Sequence, residues 1–182
     1  MLGMVFTELV EMVEETFSPE IADAVLSDVA PANGGAYTSV GYYDHNELVA
    51  IVVALSQRTG VPVPELVRAF GKHMLGRFTV LFPQMFERHA HFFDFIASID
   101  GQIHVEVRKL YSNARLPRFE VLSRSDDQLR LLYQSSRDMQ PLALGLMEGA
   151  AAHYGFPCRI DAEVADEAAG QSGTVFHIQR LV

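Results

Sequence analysis

The spacing of apolar residues changes period at Leu116-Pro117, and that switch constrains the fold of this chain more than any other feature. Before it, Val5, Leu9, Met12, Val13 and Phe17 recur every three or four positions, the spacing that lines one face of an α-helix. Ser18 suits an N-cap and Pro19 the first helical position, which opens a second helix through Ile21, Val25 and Leu26, up to Pro31 and the Asn33-Gly34-Gly35 turn. Tyr37 to Tyr43 reads as a loop or short strand. Asp44 with Glu47 has the spacing of a capping box ahead of Leu48, Ile51, Val52 and Leu55, and Gly60 closes that helix. Pro62 and Pro64 open a long one, with Leu66, Val67, Phe70, Met74 and Phe78 as its stripe. A His- and Phe-rich connection, His89 to Phe95, leads to a helix capped by Asp100 that carries Ile103, Val107 and Leu110 and runs to about Tyr111.

Beyond Pro117 the pattern predicts strands over 119–122, 129–135, 159–164 and 174–178, with 123–128 as a polar hairpin turn. Met139 to Tyr154, rich in Leu, Ala and Gly, reads as a helix between the second and third strands. The expected fold class is therefore α+β: an N-terminal helical half packed on a C-terminal antiparallel sheet with helices. At about 150 residues per domain, 182 residues make one domain. Nearly half of them (49%) are apolar, enough to build a core rather than a disordered chain.

Charge and cysteine count exclude several functions. Fourteen Lys and Arg against 23 Asp and Glu leave a net charge of −9, and no basic patch is concentrated enough to neutralise several phosphates, so nucleic acid is not an expected partner. Cys158 is the one cysteine, which excludes an internal disulfide or a thiolate-rich zinc site and points to a reducing, cytoplasmic compartment. The N-terminus lacks a basic signal region, and no apolar run approaches the ~20 residues that span a bilayer, so neither export nor membrane insertion is expected.

Seven histidines raise the question of metal. His45, His153 and His177 have no partner at a useful helical spacing and read as surface or boundary residues. His89 and His91 share a face only in an extended segment, and His73 lies beside the stripe of its helix, where a solvated ring is expected. His104 differs, since it stands at the edge of the apolar stripe of Ile103, Val107 and Tyr111. It is either a packed core histidine or a single axial ligand, and one axial imidazole suffices for a haem iron but not for zinc. In an extended segment Tyr133, Ser135 and Arg137 point to one side, so they form either an exposed strand face or a clamp of two hydroxyls and a guanidinium for carboxylates such as the haem propionates.

Several segments in this order resemble the heme-nitric oxide/oxygen binding (H-NOX) domain: Met1-Leu2-Gly3-Met4-Val5-Phe6, Tyr37-Thr38-Ser39-Val40-Gly41, Arg68-Ala69-Phe70-Gly71, Ile103-His104-x-Glu106-Val107-x-Lys109-Leu110-Tyr111, Leu116-Pro117 and Tyr133-x-Ser135-x-Arg137. The resemblance runs over nearly the whole chain.

It implies haem b (iron protoporphyrin IX) lying between the two halves, a distal helical subdomain over about 1–63 and a proximal haem-binding subdomain over about 64–182. His104 would be the proximal iron ligand, Tyr133, Ser135 and Arg137 the propionate clamp, and Pro117 the residue that presses on and distorts the porphyrin. Val5, Leu9, Met74, Phe78, Leu142 and Leu146 would line the distal side. Oxygen-holding members place a tyrosine where this chain has Leu142, which points to the nitric oxide-selective branch. The implied function is a sensor that binds nitric oxide or carbon monoxide, is not itself an enzyme, and reports to a separate histidine kinase or cyclic-di-GMP enzyme (a diguanylate cyclase or phosphodiesterase), since 182 residues are expected to be used up by the sensor. Gly71 and Gly145 would be either pivots between the halves or sites of close helix packing. Two other readings stand beside it: a peroxidase-type haem enzyme, which needs polar acid/base groups on the distal side, and a metal-free small-molecule binding module. The lone Cys158 leaves the zinc-binding cysteine cluster of some bacterial members without a counterpart.

Overall fold

In the computed structural model of the chain, which describes residues 1–165 and 172–181, the opening run of helices gives way to strand after Tyr111, where the apolar period changes. Four helices come first: α1 (Gly3–Thr16), α2 (Pro19–Val29), α3 (His45–Thr59) and α4 (Val63–Leu81). Ser18 caps α2 as expected, its hydroxyl accepting the Ile21 N–H at 3.3 Å. Asp44 caps α3 by accepting the Asn46 N–H at 3.1 Å. The second half of the expected capping box is absent, because the Glu47 carboxylate instead accepts the Tyr37 hydroxyl at 2.6 Å and ties the loop to the helix.

The connection expected over 89–95 is more ordered than its composition suggests. A short α5 (Pro83–Glu87) precedes α6 (Phe92–Ser98), which runs without a break through a π-helical turn, Ile99–Ile103, into α7 (His104–Leu110). Asp100 therefore does not cap a helix; it sits inside one. The cause is the burial of Phe92, Phe93, Phe95 and Ile96, whose spacing is helical. The side chain of Leu110 lies outside the described residues.

The strands β1 (Arg118–Arg124), β2 (Gln128–Gln134), β3 (Cys158–Val164) and β4 (Thr174–Arg180) form an antiparallel sheet in the order β1-β2-β4-β3, with α8 (Gln140–His153) between β2 and β3 in sequence. The α+β class is as the sequence predicts. Leu129, Leu131 and Tyr133 alternate onto one face of β2 and pack with Phe176 and Ile178 of β4 and with Met147, Ala150 and Ala151 of α8. A separate apolar cluster joins α1 to α4 through Phe6, Leu9, Leu48, Leu55, Phe70 and Met74.

The two clusters meet where α4 crosses α8. A Cβ on Gly71 would stand 2.5 Å from the Leu142 carbonyl oxygen, and one on Gly145 would fall directly on the Arg68 carbonyl. Arg68 and Lys72 of α4 reinforce the crossing from its solvent side by pairing with Glu148 of α8, Lys72 Nζ at 3.0 Å. Gly145→Ala is expected to destabilise the protein by about 1–3 kcal/mol through overpacking. Gly76→Ala, in open space on the same α4, should gain stability from helix propensity alone. Equal urea midpoints for wild type and Gly145→Ala would show that the crossing is slack.

Candidate functional site

His104 begins α7, and its N–H donates to the Ile99 carbonyl to close the π turn. That turn holds one residue more per loop than an α-helix, a departure common at functional sites. The residue is 9% exposed, and its imidazole faces the Phe119 ring of β1 at 5.8 Å between centroids. Its Nδ1 is buried without a hydrogen-bond partner; Oδ1 of Asp100 stands 3.5 Å away, within ion-pair range but not completing a hydrogen bond. Burial holds the ring below the usual histidine pKa, opposed by Asp100 and by the Pro117 carbonyl. Pro117 itself lies half-buried in the link between α7 and β1.

Tyr133, near the end of β2, is buried, with the Phe119 and Phe176 rings at 5.3 and 5.9 Å. Burial raises its phenol pKa, opposed by the Ser135 hydroxyl and the Met139 N–H. The expected strand alternation does not reach Arg137, because β2 ends at Gln134. A turn takes over: Ser135 Oγ accepts the Arg137 N–H at 3.2 Å, Asp138 adopts φ 47°, and Arg137 Nη1 donates to the Arg115 carbonyl at 3.1 Å. The turn ends the chain's extended run and so frees it to enter α8.

Val5 and Leu9 of α1, Met74 and Phe78 of α4, and Leu142 and Leu146 of α8 come together in the helical cluster. Phe78 and Leu146 also touch the cluster beneath the sheet, the one against which Ile99, Ile103 and Phe119 pack. The apolar wall and the cluster of Phe119, the ring that faces His104, thus share Phe78 and Leu146.

Sequence reasoning missed the polar group beside that wall. Glu8 is only 5% exposed, and its carboxylate accepts Arg77 Nε at 2.8 Å and contacts His73 Nε2 at 3.3 Å. His73 is therefore half-buried and partnered rather than solvated. The signal was available: Glu8 lies three residues after Val5 and four before Met12, on the buried face of α1, where a carboxylate needs a cation. His177 likewise finds a partner that helical spacing does not reveal, Glu163 of the adjacent strand at 2.6 Å. Among the described residues no group of three or more His, Cys, Asp or Glu side chains is placed to hold a metal ion. No described helix is long and apolar enough to cross a membrane. Cys158 is half-buried, and burial pushes its thiol pKa up.

A buried imidazole facing an aromatic ring, an apolar wall that shares residues with the cluster of that ring, and a segment of hydroxyls and a guanidinium are together a donor set that suits haem. The family model described as haem-NO-binding matches residues 2–162, and the chain belongs to this family, the H-NOX domains, which are haem-based gas sensors. The unliganded Fe(II) H-NOX protein from K. algicida is 31% identical, with 100% of this chain and 97% of that one covered and a TM-score of 0.92. The S. oneidensis H-NOX protein in its Fe(II)NO state is 27% identical over 100% of both chains, with a TM-score of 0.89. A point mutant of the T. tengcongensis H-NOX protein, 22% identical over 100% of this chain and 98% of that one, shares the fold with a TM-score of 0.87. No curated protein sequence matches the chain.

Because the folded, haem-free protein keeps His104 neutral below the ordinary histidine range, the unfolded chain takes up the additional proton as pH falls through about 6.5. Stability present above that pH is lost toward the lowered pKa of His104. Urea midpoints of haem-free protein should fall between about pH 7.5 and about pH 5.5, and His104→Leu should flatten the fall. Parallel profiles for the two proteins would contradict this.

Proposed function

We propose that this H-NOX domain is a nitric oxide sensor that carries haem b on His104 and passes its signal to a separate effector. The observation that carries the reading is His104, a buried imidazole whose Nδ1 has no hydrogen-bond partner and whose ring faces Phe119 of the sheet. A haem held there supplies a ferrous iron able to bind nitric oxide or carbon monoxide. Ligated states of these kinds are those of the S. oneidensis relative, which has been solved with nitric oxide and with carbon monoxide. A covalently attached haem would need a second cysteine near a histidine, and Cys158 is the one cysteine, which supports haem b.

In this reading Tyr133 and Ser135 offer hydroxyls, and Arg137 a guanidinium, to the propionates, and Pro117 bears on the porphyrin beside His104. Distal residues 1–63 and proximal residues 64–182 then form the two parts that shift relative to each other when His104 is released. A sensor of this kind has two states that its ligand distinguishes, and only their difference in affinity moves the equilibrium. The effector class, a histidine kinase or a cyclic-di-GMP enzyme, follows from the resemblance alone.

Selectivity for nitric oxide rests on the wall. Val5, Leu9, Met74, Phe78, Leu142 and Leu146 offer no hydrogen-bond donor, and the nearby donors His73 and Arg77 are committed to Glu8. The same commitment disfavours peroxidase chemistry, which needs free distal acid/base groups. A metal-free module would leave purified protein colourless.

His104→Gly should lose stable haem unless imidazole is supplied, read from the visible spectrum and haem content. Full retention with an unchanged ferrous spectrum would remove the assignment.

Without a donor, oxygen affinity should be about 10- to 150-fold weaker than with one, since a hydrogen bond to a charged group is worth about 1.5–3 kcal/mol. The ferrous protein should therefore show no lasting oxygenated spectrum in air while binding nitric oxide and carbon monoxide, and Leu142→Tyr should raise its oxygen affinity. A long-lived oxygenated spectrum of the wild type would overturn the selectivity.

A further inference from the structure

An imidazole that ligates iron through Nε2 keeps its proton on Nδ1, and that proton needs an acceptor whose strength tunes the ligand. In this protein Nδ1 of His104 is buried and unpartnered, while Oδ1 of Asp100 stands 3.5 Å away. We infer that Asp100 is the positioning residue of His104: its carboxylate accepts the Nδ1 proton and so sets how firmly His104 holds the haem iron. The inference rests on the reading of His104 as the haem ligand.

Three features of the structure support it. The π turn of Ile99–Ile103 lies between the two residues and places Asp100 one widened turn before His104, with the backbone N–H of His104 bonded to Ile99 rather than to Asp100. The Asp100 side chain is itself 38% exposed, so it is free to close the gap from 3.5 Å to about 2.9 Å, an ordinary hydrogen bond, without moving the helix. No other side chain is bonded to the Asp100 carboxylate among the hydrogen bonds of the described residues, and Arg108, the cation acting on His104, is exposed to solvent. The Pro117 backbone also acts on the His104 ring. A carboxylate makes the stronger, charge-assisted bond, giving the imidazole more imidazolate character and a tighter grip on iron than a carbonyl does.

The consequence is a threshold built into α7. Since nitric oxide signals by freeing His104 in the proposed function, a stronger acceptor makes that release slower and more demanding. The test compares wild type, Asp100→Asn and Asp100→Glu as haem-loaded ferrous proteins. Asp100→Asn should lower the iron–histidine stretching frequency in resonance Raman spectra and speed loss of His104 on nitric oxide binding by about 10–100-fold, the range carried by partners of metal ligands. Asp100→Glu should stay closer to wild type in both readouts. An unchanged stretch and release rate in Asp100→Asn would overturn the inference. A second measurement needs no variant: the 15N shift of His104 Nδ1 in the carbon monoxide-loaded wild type should lie toward the imidazolate value, and a shift typical of a carbonyl-bonded neutral imidazole overturns it equally. Failure of the ligand assignment reads differently, as haem retention and an unchanged spectrum in His104→Gly.

Discussion

The crossing of α4 on α8 is the contact on which the remaining structure depends. Gly71 and Gly145 bring the two backbones close enough that neither position tolerates a Cβ without movement. This closeness lets one helix pair serve two cores, since α4 contributes Phe70 and Met74 to the helical cluster and Leu75 to the cluster under the sheet. It also holds Leu142 and Leu146 of α8 against Met74 of α4 in the apolar wall. A wider crossing would separate Leu142 and Leu146 from Leu9 and Met74. Packed interiors change arrangement in discrete steps rather than by smooth deformation, so a tight crossing between two cores suits a domain with two states.

Two buried polar groups mark the site, and their contrast is informative. Glu8 is satisfied by Arg77 and His73, which ties α1 to α4 around a neutralised charge. His104 is left with an unpartnered nitrogen beside Asp100. A buried polar atom without a partner costs free energy, so it persists where a ligand or a rearrangement completes it. In the inferred arrangement the Asp100 carboxylate completes that nitrogen and leaves the other to the iron, while the satisfied Glu8 cluster keeps His73 and Arg77 from offering a donor to the adjacent wall.

The order of elements was legible because local rules act within a few residues. The three- and four-residue spacing before Pro117, the Ser18 cap and the alternation in β2 each depend on neighbours close in sequence, and each appears in the structure. His104 and the Tyr133-Ser135-Arg137 segment stood out as candidates for the same reason, as short patterns of unusual residue types in a lipophilic setting. Sequence also determined the antiparallel α+β arrangement, since short strands with polar turns flanking one helix leave few other ways to bury their apolar faces.

Tertiary structure decided what spacing cannot encode. It turned Asp100 from a helix cap into a member of a π turn, because the buried Phe92, Phe93, Phe95 and Ile96 carry the helix through that point. Arg137 moved off the strand face when β2 ended at Gln134. His73 and His177 gained partners on other elements, Glu8 sixty-five residues away and Glu163 on the adjacent strand. Burial and charge pairing depend on which surfaces the folded chain brings together, and those surfaces lie far apart in sequence. Local propensity therefore settled what each segment becomes, while packing between elements distant in sequence settled which polar groups are satisfied and which are left without a partner.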